Sequence, residues 1–146
     1  MKLSQAILLI AVLCICMAQC HPAKSASERN TAQLFQGQWE LHMLQGNPVV
    51  KTAQFRPYLV FMPGENGQLS GSLGCNHLGG TFTLDEGSGI RISALMTTKM
   101  ACPEQGLEYQ FSRVLELVDT WSLAGESLVL LKGGKPAATF IQAEDH

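Results

Sequence analysis

Three side chains in this sequence have types that could do chemistry together: Cys75, His77 two residues on, and Cys102 further along the chain. A thiol beside an imidazole is a nucleophile with its base. The same two cysteines with His77, and His42 as a fourth ligand, would make a zinc site. The cysteines alone would make a disulfide. Each reading has a requirement. The nucleophile needs a base turned towards the thiol by a third group, and residues two apart share a face only on a regular strand, whereas Gly71, Gly74, Gly79 and Gly80 interrupt this one. An enzyme of this kind also predicts a free, fast-reacting Cys75 thiolate. The metal site must recruit His42 from a distant segment. The disulfide needs only an oxidising compartment.

The N-terminus points to such a compartment. Lys2 supplies a positive start, Ala6 to Met17 run uninterrupted and apolar, and small or polar residues follow, the pattern of an export signal. The run stops at Gln19, short of the roughly 20 apolar residues a membrane-spanning helix needs. Three further cysteines, Cys14, Cys16 and Cys20, sit at its end. Met17-Ala18-Gln19-Cys20 is similar to a lipobox with Cys20 as the lipidated residue, although Gln19 stands where Gly, Ala or Ser is usual. Ordinary cleavage near Ala18 or Cys20 is the alternative. Residues 1–19 are thus expected to be a signal peptide, leaving Cys75 and Cys102 as the isolated pair of the exported domain, read as a disulfide.

A cut before Cys20 leaves 127 of the 146 residues, enough for one domain with a real core. Without Lys2 the balance is 9 basic against 12 acidic residues, a net charge of about −3 with no run of like charges. Nucleic acid is not an expected partner, and a membrane is expected only through the N-terminal lipid. Residues 20–33 are small, polar and aperiodic, which predicts a flexible tether. The fold is expected over 34–142.

From Gly37 the pattern has period 2, broken by turn residues. Trp39, Leu41 and Met43 alternate with Glu40 and His42; Leu59 and Phe61 interleave with Tyr58, Val60 and Met62; Leu69 and Leu73 bracket small residues; Ile90 and Ile92 straddle Arg91. Pro63 to Gly67 and Asp85 to Gly89 are turn-rich connections. Thr120 to Ala124, Ser127 to Lys132 and Ala137 to Gln142 predict a closing β-meander, with turns at Gly125-Glu126 and Gly133-Gly134-Lys135.

One segment has helical period. Leu107, Phe111, Val114, Leu115 and Val118 form one apolar stripe, and Pro103 and Glu104 suit a helix start, predicting a helix near 103–118 that caps the core. Glu108, Gln110, Arg113 and Glu116 are placed on its solvated face. The fold class is therefore α+β: a single small domain with an antiparallel sheet packed on one amphipathic helix.

Gly71-Ser-Leu-Gly-Cys75-Asn76-His-Leu-Gly79-Gly80-Thr81-Phe82, then Ile90 to Pro103 with Thr97-Thr98-Lys-Met100-Ala101-Cys102, then Glu108 with the helix stripe, together resemble the META domain, HslJ-like: the domain of the bacterial heat-shock protein HslJ and its relatives. The resemblance covers about Leu34 to Phe140. It implies an antiparallel sheet curling, half-barrel-like, around one helix, in an envelope lipoprotein or secreted protein of bacteria. It also implies a link to heat-shock and antibiotic tolerance, no established catalytic residues, and a fold similar to secretion pilotins that bind lipid or peptide.

The glycines around Cys75-Asn76-His77-Leu78 suit a hairpin turn or bulge with Gly74, Asn76, Gly79 and Gly80 as its motif, and Asn76 is expected to bond neighbouring backbone. A phosphate-cradling loop would need a helix directly after the glycines, where Thr81-Phe82-Thr83-Leu84 reads as strand. Trp39 and Trp121 are expected at the core, each needing a partner for its indole N–H. Met43, Phe61, Met62, Met96 and Met100 are candidates to line an apolar groove for an acyl chain or apolar peptide. The resulting expectation is a non-enzymatic exported domain, located in the bacterial periplasm, at the outer membrane as a lipoprotein or in the medium, as a monomer. It would act by binding an as yet unnamed protein or hydrophobic ligand, with neither metal nor cofactor. The alternatives are a pilotin-like carrier, a hydrolase inhibitor acting through Pro63 to Gly67 or Gly74 to Gly80, and a Cys75/His77 enzyme.

Overall fold

The computed structural model describes residues 25–101 and 105–143. The expected signal peptide, Cys20 and Cys102 lie outside the described residues. The elements run α1 (Ala26–Leu34), β1 (Trp39–Leu44), β2 (Asn47–Pro48), β3 (Tyr58–Met62), β4 (Gly67–Ser72), β5 (His77–Leu84), β6 (Ile90–Thr97), α2 (Gln105–Leu117), β7 (Thr120–Ala124), β8 (Ser127–Lys132) and β9 (Lys135–Gln142).

Alternating apolar residues and short turns produce one antiparallel sheet in the order β6-β5-β4-β3-β1-β9-β8-β7, with β2 as a spur on β1. The sheet curls until its two ends touch: Gly89 bridges Thr120, the Ile90 N–H reaches the Asp119 carbonyl at 3.0 Å, and the Trp121 N–H reaches that of Ser88 at 2.9 Å. Beyond this short seam β6 and β7 diverge. α2 packs on β6 and closes the curl, giving the expected half-barrel of class α+β.

The helix stripe drives that packing. Phe111 and Leu115 are fully buried, with Val114 and Val118 nearly so, and the Phe111 ring lies 5.9 Å from that of Phe140 on β9. Each such side chain contributes about 1.5–3 kcal/mol of burial before entropy is subtracted. Phe61 and Phe82 meet edge to face at 5.1 Å on the opposite wall. The Trp39 indole N–H donates to the Leu34 carbonyl at 2.9 Å; Trp121 Nε1 is buried with no hydrogen-bond partner among the described residues.

Two expectations are corrected. Residues 26–33, expected within a flexible tether, belong to a helix that Ser25 caps. Ser25 accepts from the Glu28 N–H while the Glu28 carboxylate accepts from the Ser25 N–H, a capping box that satisfies two otherwise orphaned donors. Leu34 at its end is fully buried, and Gln33 ties the helix to the Gly125 carbonyl at 2.7 Å. In β1 the alternation does not run on to Met43. The register against β9 shifts between Leu41 and Met43, so Leu44 turns inward and Met43 is half-buried, as one extra residue reverses the phase of a strand.

Candidate functional site

The motif residues meet at one place. Residues 73–76 connect β4 to β5, and the Leu73 N–H closes the connection on the Asn76 carbonyl at 2.8 Å. Gly74 adopts φ +134°, and a β-carbon there would run into the Phe55 ring, so the position needs glycine for both conformation and space. Its N–H donates to Ser72 Oγ at 3.0 Å. Gly79 and Gly80 are not in the turn. They lie within β5, beside a register shift between Gly79 and Thr81 against β6.

The backbone N–H groups of Cys75 and Asn76 in this turn find one acceptor. Glu108 Oε1 receives the Cys75 N–H at 2.8 Å and the Asn76 N–H at 2.7 Å, and Oε2 receives Asn76 Nδ2 at 2.7 Å. The other end of the same amide, Asn76 Oδ1, accepts from Thr98 Oγ1 at 2.9 Å and from the Met100 N–H at 2.8 Å. Thr98 Oγ1 in turn accepts the His77 N–H at 3.0 Å. The opposite amide orientation would set donor against donor at Met100 and acceptor against carboxylate at Glu108, so this network fixes it. Asn76 thereby joins β5, the segment after β6, and the first turn of α2.

Glu108 is 4% exposed, which corrects its placement on the solvated face. Burial by itself pushes its carboxyl up. The Asn76 N–H, the Asn76 amide and the Cys75 N–H outweigh that and hold it below the usual carboxylate range, as expected when hydrogen bonds favour the charged form. The signal was in the sequence. At about 100° per residue, Glu108 points within about 20° of Leu115 and so belongs to the apolar stripe.

Cys75 is half-buried and disulfide-bonded; Cys102, the partner expected from the sequence, lies outside the described residues. His77 and His42 are exposed on β5 and β1, and no group of three or more His, Cys, Asp or Glu among the described residues is placed to hold a metal ion.

The five groove candidates are not gathered together. Phe61 is core, 1% exposed, while its neighbour Met62 points outward from the same strand, and Met96 and Met100 are 70% and 55% exposed. Met100 borders a shallow depression on one side of α2 with Thr98 and Tyr109. A larger cleft of about 560 Å³ lies on the other side. Leu107 of α2 and Cys75 of the turn form one wall; Pro48, Val49, Val50 and Phe55, from β2 and the loop that follows it, form the other, with Thr52 and Gln54. None of the five candidates lines it. The loop carries no periodicity, so neither strand nor helix patterning could mark it.

Residues 30–145 match the family model of the META domain. The chain belongs to the META domain family. The clamp just described is built from the blocks that carried the sequence resemblance. Among solved structures, an NMR structure of a protein at 26% identity superposes with a TM-score of 0.60, covering 76% of this chain and 92% of that one. An NMR structure of a protein from Burkholderia xenovorans, at 22% identity, covers 86% of this META chain and 98% of its own with a TM-score of 0.64. A crystal structure of a DUF4847 family protein from Bacteroides vulgatus ATCC 8482, at 15% identity, covers 77% and 96% with a TM-score of 0.52. The last two likenesses are of fold. No curated protein matches the chain.

Proposed function

We propose that this META protein is an exported, non-enzymatic domain that acts by binding an apolar ligand in the cleft beside Cys75, and that it serves tolerance of heat or chemical stress. Its place is the bacterial envelope or the medium, through the N-terminal signal and, where Cys20 is lipidated, an anchor. The observation that carries the reading is the cleft itself, whose volume lies in the range of about 300–1,000 Å³ that ligand sites occupy. Further support comes from how the reactive residue types are used. The Glu108 carboxylate and the Asn76 amide are committed to holding backbone, and Cys75 is disulfide-bonded.

We assign Cys102 as the other half of that disulfide. Met100 is bonded to Asn76 on one side of Cys102, and Glu108 to Cys75 on the other. The chain on either side of position 102 is thus tied to the turn that carries Cys75.

The test is uptake of the uncharged fluorescent probe N-phenyl-1-naphthylamine by the purified domain. The wild type is expected to enhance its emission saturably. Val50→Asp, at a side chain 79% exposed and so outside the core, is expected to weaken uptake severalfold. No saturable uptake by the wild type would overturn the reading.

A further inference from the structure

Next to the lining residues in sequence, two cations share one anion. Lys51, between the lining residues Val50 and Thr52, places Nζ 2.7 Å from Glu40 Oε2, and Arg56, directly after the lining Phe55, places a guanidinium nitrogen 3.6 Å from Oε1 of the same carboxylate. Arg56 is the looser of the two, its side chain 64% exposed. A guanidinium so held keeps donors free for a second carboxylate, sulfate or phosphate, which its planar fork grips with two parallel hydrogen bonds. None of the described lining residues is acidic.

The backbone of the wall says what the apolar part of a ligand must be. Pro48 has no N–H; that of Val49 is spent on the His42 carbonyl, those of Thr52 and Phe55 on each other's carbonyls, and that of Cys75 on Glu108. Among the described lining residues of this loop only Val50 and Gln54 have backbone N–H groups left to offer a peptide, so most of its buried amides would go unmet, at a cost for each. A hydrocarbon chain has no such need.

Resting on the reading of the cleft as a ligand site, we propose that its ligand is a single-chain amphiphile with an anionic head, the chain against Val49, Val50, Phe55 and Leu107 and the head on Arg56. Glu40 tunes the site by competing for the same cation. Fatty acids and the anionic ends of lipids share this chemistry.

The experiment displaces N-phenyl-1-naphthylamine with dodecanoate, dodecanol and dodecyltrimethylammonium at low ionic strength. Dodecanoate is expected to compete about tenfold better than dodecanol, and the cationic chain worst. Arg56→Gln is expected to reduce the ratio of dodecanoate to dodecanol to about one, and Arg56→Lys to keep part of it. Glu40→Gln is expected to raise that ratio. Lysophosphatidate competing more strongly than dodecanoate would assign the site to lipid ends, and the reverse order to free acids. Equal competition by dodecanoate and dodecanol, or a ratio that Arg56→Gln leaves unchanged, would overturn the anionic head while leaving the cleft as a binding site. Stronger competition by an apolar peptide than by any amphiphile would overturn the acyl chain. Absence of probe uptake would instead remove the cleft reading beneath both.

Discussion

Glu108 accepts the backbone N–H of Asn76 at 2.7 Å across a sequence separation of 32 residues, and the Asn76 side-chain amide returns to the same carboxylate at 2.7 Å. One helix residue and one hairpin residue thus fix where α2 lies on the sheet. The burial of Phe111 and Leu115 supplies most of the packing energy but tolerates small slides. Directional bonds to a charged acceptor, worth about 1.5–3 kcal/mol each, select one position.

The clamp makes stability depend on pH with a definite sign. Because the folded-state pKa of Glu108 lies below its ordinary value, its contribution is fully present above the ordinary glutamate pKa. It is lost as pH falls through the lower folded value. Stability measured by urea unfolding is expected to decline below about pH 5, and Glu108→Gln to flatten that decline while lowering stability at neutral pH. An unchanged acid limb in the variant would remove Glu108 from the cause.

Reduction is expected to destabilise the domain by about 3.5 kcal/mol, the loop-entropy value for a cross-link between positions 75 and 102. Intact mass after alkylation under denaturing conditions reads the state directly. Label is expected at both positions only after reductant is added. Fast labelling of native Cys75 without reductant would contradict the assignment and restore the thiol to chemistry.

Gly74→Ala is expected to cost about 2 kcal/mol, since its φ of +134° and the Phe55 ring both oppose a side chain. Trimming the ring in Gly74→Ala/Phe55→Ala should recover the steric part and leave the conformational part. Thermal unfolding of the single and double variants separates the two, and strict additivity would mean that the ring and position 74 do not meet.

The capping box of α1 carries a smaller effect. Ser25→Ala is expected to cost about 1 kcal/mol, a few degrees in Tm for a domain of this size. No shift would show that residues 25–33 contribute nothing to the folded domain.

Most strands were legible because their inward residues repeat at period 2: Thr120–Ala124 and Ser127–Lys132 have the bounds that alternation gives them. What alternation cannot see is a register shift, and the one after Leu41 moved Leu44 into the core in place of Met43. α1 escaped because its sequence is polar and only its end is anchored, although Ser25-x-x-Glu28 was already the signature of a start. Glu108 was misplaced by its charge. Its angular position put it among buried neighbours, and the turn that pays for its burial lies far away in sequence. The cleft was the least legible part, because a loop without period forms one wall and a single helix residue much of the other.

The account rests most on the pairing of Asn76 with Glu108, which a double-mutant cycle of Asn76→Ala and Glu108→Ala measures directly by urea unfolding at neutral pH. Each single variant is expected to lose several kcal/mol, with the double variant losing far less than their sum, a coupling of about 2 kcal/mol or more. Additive losses would contradict the clamp, and the motif would then hold the helix through packing alone.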